Sequence, residues 1–113
     1  MNSSIITSIN NIMNQTDSSR TAGTYHIANV DSNGSPINGF TTNGNGIEAS
    51  FTVNVDSNGK ADITVTSGGS EDNAPQYHIG DTITIENSKL GGSVNGDLSF
   101  KVASVSAVTY PSI

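Results

Sequence analysis

Ile47-Glu48-Ala49-Ser50-Phe51-Thr52-Val53-Asn54-Val55-Asp56-Ser57-Asn58-Gly59-Lys60-Ala61-Asp62-Ile63-Thr64-Val65-Thr66 is the stretch that decides the fold. Ile47, Ala49, Phe51, Val53 and Val55 alternate with polar neighbours, the period-two pattern of a half-buried strand. Ala61, Ile63 and Val65 repeat it against Asp62, Thr64 and Thr66. The turn between them can be tested against both faces. A two-residue Asn58-Gly59 loop would set Val55 against Asp62 and Asn54 against Ile63, apolar opposite polar, which the pleat forbids. A three-residue loop, Ser57-Asn58-Gly59, pairs Val55 with Ala61, Val53 with Ile63 and Phe51 with Val65. It also places Gly59 where such a hairpin needs a left-handed residue. The expected register is therefore the three-residue one.

The same period extends outward from Thr24. Ile83 and Ile85 point one way across Thr82 to Glu86, and Leu98, Phe100 and Val102 alternate in a last main strand. The phase slips at Ala103, because Val105 has the other parity, which predicts a bulge or a strand end there. Pro36 to Gly46, Ser67 to Pro75 and Gly91 to Gly96 read as loops. Val108 to Ile113 is an apolar tail, a further edge strand or a contact surface. Gly80 supplies a turn into the Thr82 strand, and Asp81 can accept bonds from nearby backbone N–H groups. Val30-Asp31-Ser32-Asn33-Gly34 repeats Val55-Asp56-Ser57-Asn58-Gly59, and Tyr25-His26-Ile27 repeats as Tyr77-His78-Ile79. Their spacings, 25 and 52 residues, differ, so no single unit is duplicated. Convergent turn chemistry accounts for the first pair.

Residues 2–19 contain neither Gly nor Pro. Ile5, Ile6, Ile9, Ile12 and Met13 fall at offsets of 0, 1, 4, 7 and 8, the spacing of one helical face, with Ser3 or Ser4 as the cap. The expectation is a short N-terminal α-helix over 1–20 acting as an anchor. These five residues are its candidate partner interface, and 21–113 forms a single mainly β, compact sandwich-like domain.

Composition sets limits on chemistry. The 113 residues hold 17 Ser, 12 Thr, 14 Asn and 12 Gly, a mixture suited to short strands and tight turns. Four cations against ten carboxylates give a net charge of −6, which argues against a phosphate-binding surface and hence against nucleic acid. No Cys is present, so disulfides, thiolate metal sites and a Cys nucleophile are excluded. No apolar run reaches the ~18 residues of a membrane helix. The start, Met1-Asn2-Ser3-Ser4, lacks the basic and apolar regions of a secretory signal. The sequons at Asn2 and Asn14 are then expected to be chance matches. His26 and His78 lack a Gly-x-Ser-x-Gly elbow or a ligand-spaced carboxylate partner. Asp56-Ser57-Asn58-Gly59 is not a calcium loop, because Val65 stands where the bidentate Glu belongs. Glu71-Asp72 is a weak cation candidate in a Gly-rich loop. The expectation is a protein without catalytic residues, cofactor or metal.

Several segments together resemble a known family. They are Gly46-Ile47-Glu48-Ala49 leading into Phe51-Thr52-Val53-Asn54-Val55, then Ile63-Thr64-Val65-Thr66-Ser67-Gly68-Gly69-Ser70. Tyr77-His78-Ile79-Gly80-Asp81-Thr82-Ile83, Leu90-Gly91-Gly92 and Leu98-Ser99-Phe100-Lys101-Val102 complete the series. This order is similar to the Gly-rich β repeats of virion structural proteins from tailed bacteriophages, notably those of marine cyanobacteria. One copy covers Ala22 to Val105. Residues 71–76 are inserted relative to the repeat, and 31–45 are long for it. The resemblance implies a non-enzymatic virion protein, first a capsid decoration or cement protein. Its expected partners are the major capsid protein or tail proteins, with a homotrimer as the expected self-assembly. A tail, baseplate or tail-fibre component is the alternative. A carbohydrate-binding module is a more distant one, since few aromatics are free to stack on sugar.

Overall fold

Seven strands and one turn of 3₁₀ helix make up the regular structure among the described residues of this computed structural model, which are 2–31, 33, 35–44, 46, 48–69 and 77–109. The strands are β1 (Asn2–Met13), β2 (Gly23–Ala28), β3 (Thr41–Thr42), β4 (Ser50–Val55), β5 (Ala61–Ser67), β6 (Thr82–Ile85) and β7 (Leu98–Thr109). They form two antiparallel sheets, in the orders β1-β7-β6-β3 and β2-β4-β5. The chain is mainly β, as the alternation requires.

The β4–β5 hairpin has the register demanded by its faces: Val55 opposes Ala61, Val53 opposes Ile63 and Phe51 opposes Val65. Phe51, Val53, Val55 and Ala61 are buried. The other sheet contributes Ile83, Ile85, Leu98, Phe100 and Val102 to the same core. Phe51 joins the layers, its ring edge-on to Phe40 at 5.4 Å and to Phe100 at 5.1 Å. Within the Pro36 to Gly46 loop, Thr41–Thr42 forms the short strand β3 on β6. Ile47, the Glu71-Asp72 pair and the tail from Tyr110 to Ile113 lie outside the described residues.

The N-terminal segment corrects the helical expectation. Asn2–Met13 is strand β1, paired antiparallel with β7. The physical reason lies in paired bulges. Ile6 opposes Val105, Ser8 opposes Ser104 and Ile9 opposes Val102, so Thr7 is the extra residue on β1 and Ala103 the extra one on β7. Each bulge reverses the side-chain parity of its strand. Ile6 and Ile9, three apart, therefore both turn toward the core, as do Val102 and Val105. A three-residue apolar spacing that reads as helical is here a strand with a bulge. Four β-branched Ile residues favour the extended chain, and the Ser, Thr and Asn between them are poor helix formers.

Backbone bonds join the two sheets along the β1/β5 side. Ile6 N donates to Gly68 O at 2.8 Å and Ala61 N to Gln15 O at 2.8 Å. Gly68 is required at this seam, because a Cβ there would stand 2.1 Å from Ile6 O. On the other side, Ile37 N donates to Asn29 O at 2.7 Å, and Asn29 Oδ1 accepts from Gly39 N and Phe40 N. The molecule is elongated, 53 × 29 × 20 Å.

Candidate interaction surface

The apolar residues of β1 divide by depth. Ile6 is buried, Ile9 packs partly buried on the core, and Ile5 is half-buried opposite Ser106. Ile12 and Met13, 36% and 62% exposed, face outward beyond a further register shift between Asn10 and Met13. The five candidate interface residues are thus not one face. Ile6 and Ile9 hold the fold, and Ile12 and Met13 remain available at the end of the strand. Asn11 and Asn14, both left-handed with φ of 50° and 55°, bend the chain there.

What fixes this end of the molecule is a buried polar cluster that no motif announces. Arg20, 6% exposed, spends all five of its N–H donors. Nε donates to Asn87 Oδ1 at 2.6 Å, and Nη1 donates to Gln15 O and Gly59 O at 2.8 and 3.1 Å. Nη2 donates to Asn14 O and Gly96 O at 2.6 and 3.1 Å. Asn87 is fully buried and directs Nδ2 at Asp17 Oδ2, Ser93 O and Asn95 O. Its backbone N–H donates to Asp97 Oδ1 at 2.9 Å. The Ser19 hydroxyl and N–H, both donating to Asp17 Oδ1, hold that carboxyl below its usual range, and the nearby Arg20 charge adds to this. Burial lowers the Arg20 guanidinium. The cluster ties the segment after β1, the hairpin tip and the loop before β7 into one piece. Exposed Met13 and Val94 each adjoin a residue so tied, Asn14 and Ser93, and Asn14 Nδ2 donates to Asp97 O.

The four turn residues singled out in the sequence have structural contacts. Asp56 Oδ1 accepts from Asn58 N at 2.8 Å and Lys60 N at 3.0 Å, which keeps its carboxyl low. Gly59 has φ +82°, and a Cβ on it would meet Asp17 O at 1.9 Å. Asp31 repeats these bonds, accepting from Asn33 N and Ser35 N while its own N–H donates to Ser35 O. The Asp of the repeated string therefore makes the same bonds at both places. Gly80, with φ +94°, donates its N–H to Val102 O, and Asp81 Oδ2 accepts from His78 N at 2.9 Å. The Tyr-His-Ile repeat has no common role, since Tyr25 lies in β2 and Tyr77 in a loop. Tyr77 is buried, and its hydroxyl oxygen accepts from Ala49 N at 3.1 Å. Burial pushes its phenol up to about 12.

Two shallow grooves meet at Asn38, Gly39 and Lys89. One, about 240 Å³, runs along Phe40, Thr41, Thr84 and Glu86; the other, about 340 Å³, runs along Tyr25 to Ala28 and Ile37. Lys89 Nζ donates to Asn38 O between them. Tyr25 is the one Phe or Tyr ring not buried among the described residues, and its hydroxyl donates to Thr21 O. His78 Nδ1 stands 4.0 Å from Asp81 Oδ2, and among the described residues no three His, Asp or Glu side chains converge. Comparison with family models, with curated proteins and with solved structures finds no match.

Proposed function

We propose that this protein is a non-enzymatic structural component of a tailed-phage virion, a β-sandwich-like domain that decorates the capsid. The observation that carries the reading is how the family-like segments are used. Gly80-Asp81-Thr82 turns onto β7 through Val102, Leu90 is buried under the Gly91 turn, and Ile83 opposes Phe100. These segments form one contiguous folding unit, which is how a structural repeat uses its residues. The docking contact is Ile12 and Met13, exposed apolar groups at the end of β1 next to Asn14, whose carbonyl the buried Arg20 holds. Its partner is an apolar patch on the major capsid protein.

Copy number per purified particle, measured by quantitative mass spectrometry against the major capsid protein, tests the assignment. A count near the capsid-lattice number supports decoration. A handful of copies moves the protein to the tail, baseplate or a fibre, and absence from particles overturns the virion reading. Met13→Asp and Ile12→Asp are expected to fold and to lose incorporation; unchanged incorporation overturns the docking contact. The groove edged by Tyr25, His26 and Lys89 favours glycan binding as a second reading, which glycan titration checks.

A further inference from the structure

β7 is held on its β6 side as far as Val102, whose N–H donates to Asp81 O and whose carbonyl accepts from Gly80 N, both at 2.9 Å. Beyond it, Ala103–Thr109 pairs with β1 alone among the described residues. The chain there is a ribbon two strands wide, Asn2–Ile5 against Ser106–Thr109, and among the described residues nothing pairs with the other edge of β7. A two-stranded ribbon is marginal in water and gains from a third strand. Natural edges are guarded by Lys, Pro, or inward-pointing charge. Neither Asn2–Met13 nor Val102–Thr109 contains a charged residue or a proline. The edge sequence, Ala103-Ser104-Val105-Ser106-Ala107-Val108-Thr109, is small and β-branched. Ile79, 68% exposed, lies next to Gly80 where the β6 side ends.

We infer that this edge of β7 pairs with the β7 edge of a second copy of the chain. Charge selects that occupant. The molecule carries a net −6, yet both strands of the ribbon are neutral, so two copies meet there with the least repulsion. A charged partner segment would find no complement on it. An edge paired antiparallel with itself is isologous and closes as a dimer. Main-chain bonds supply the affinity, as in other strand additions. The contact is a property of the purified chain and does not depend on the virion reading.

Sedimentation velocity over a concentration series, with amide hydrogen exchange on the same samples, tests it. The expected result is a concentration-dependent dimer in which exchange slows at 103–109 and stays constant in the β4–β5 hairpin. Ser106→Lys, placing two cations across the contact, is expected to raise the dimer dissociation constant at least about tenfold without changing monomer unfolding. A chain that is monomeric throughout, or a dimer whose exchange at 103–109 equals the monomer's, overturns the inference. The wild-type exchange footprint decides the matter even if the variant fails to fold.

Discussion

Gly59 has two separate reasons to be glycine: a left-handed φ of +82°, and a carbonyl of Asp17 lying where a Cβ would go. Gly59→Ala is therefore expected to lower stability by about 3 kcal/mol, measured by urea denaturation. The turn was legible because two constraints, face parity and the left-handed position, agreed on one register. Arg20 was not legible. Four of its five acceptors are backbone carbonyls, which any residue type supplies, so a lone Arg among polar neighbours leaves no pattern. Tyr77 gives a pH prediction. Its folded value of about 12 lies above the ordinary 10.0, so its contribution is whole below pH 10.0 and is lost as pH rises through about 12. Phenolate absorbance should show Tyr77 ionising above the ordinary phenol range, together with alkaline unfolding. Asp17 and Asp56, held low, act at the other limb: their contribution is present above the usual carboxylate range and is lost as pH falls through their depressed values.

At the scale of the element, β1 and β7 share one irregularity seen from two sides. The slip at Ala103 was visible in the sequence because it interrupts an established alternation. Its partner bulge at Thr7 was hidden, because the five strand residues before it, Asn2–Ile6, hold no alternation to interrupt. Without that reference, Ile6 and Ile9 look like a helical pair. A strand that bulges under a sheet and a marginal helix leave the same apolar spacing, and only pairing with a distant strand separates them. The depth difference along β1 predicts unequal costs. Ile6→Ala should destabilise by about 2–4 kcal/mol, whereas Met13→Ala should fall within about 0.5 kcal/mol of wild type in the same denaturant assay. Equal effects at the two positions would contradict the strand.

At the scale of the whole molecule, the layers and their hairpin followed from period-two alternation, whereas the pairing of first strand with last did not, since nothing local encodes it. Asn2 opposes Thr109, so the larger sheet closes across nearly the whole chain. Such non-local pairing slows folding relative to local hairpins. A chain lacking residues 2–13 should lose cooperative thermal unfolding, because Ile6 and Ile9 leave the core and β7 loses β1, its partner past Val102 among the described residues. The same pairing has a mechanical consequence. Residues 2 and 109 lie side by side and their strands run in opposite directions, so a load applied between them opens the ribbon one rung at a time, like a zipper. A load along the long axis would instead have to break many bonds together in shear. The molecule should therefore yield at low force when pulled at residues 2 and 109 and at higher force when the strands are loaded in shear.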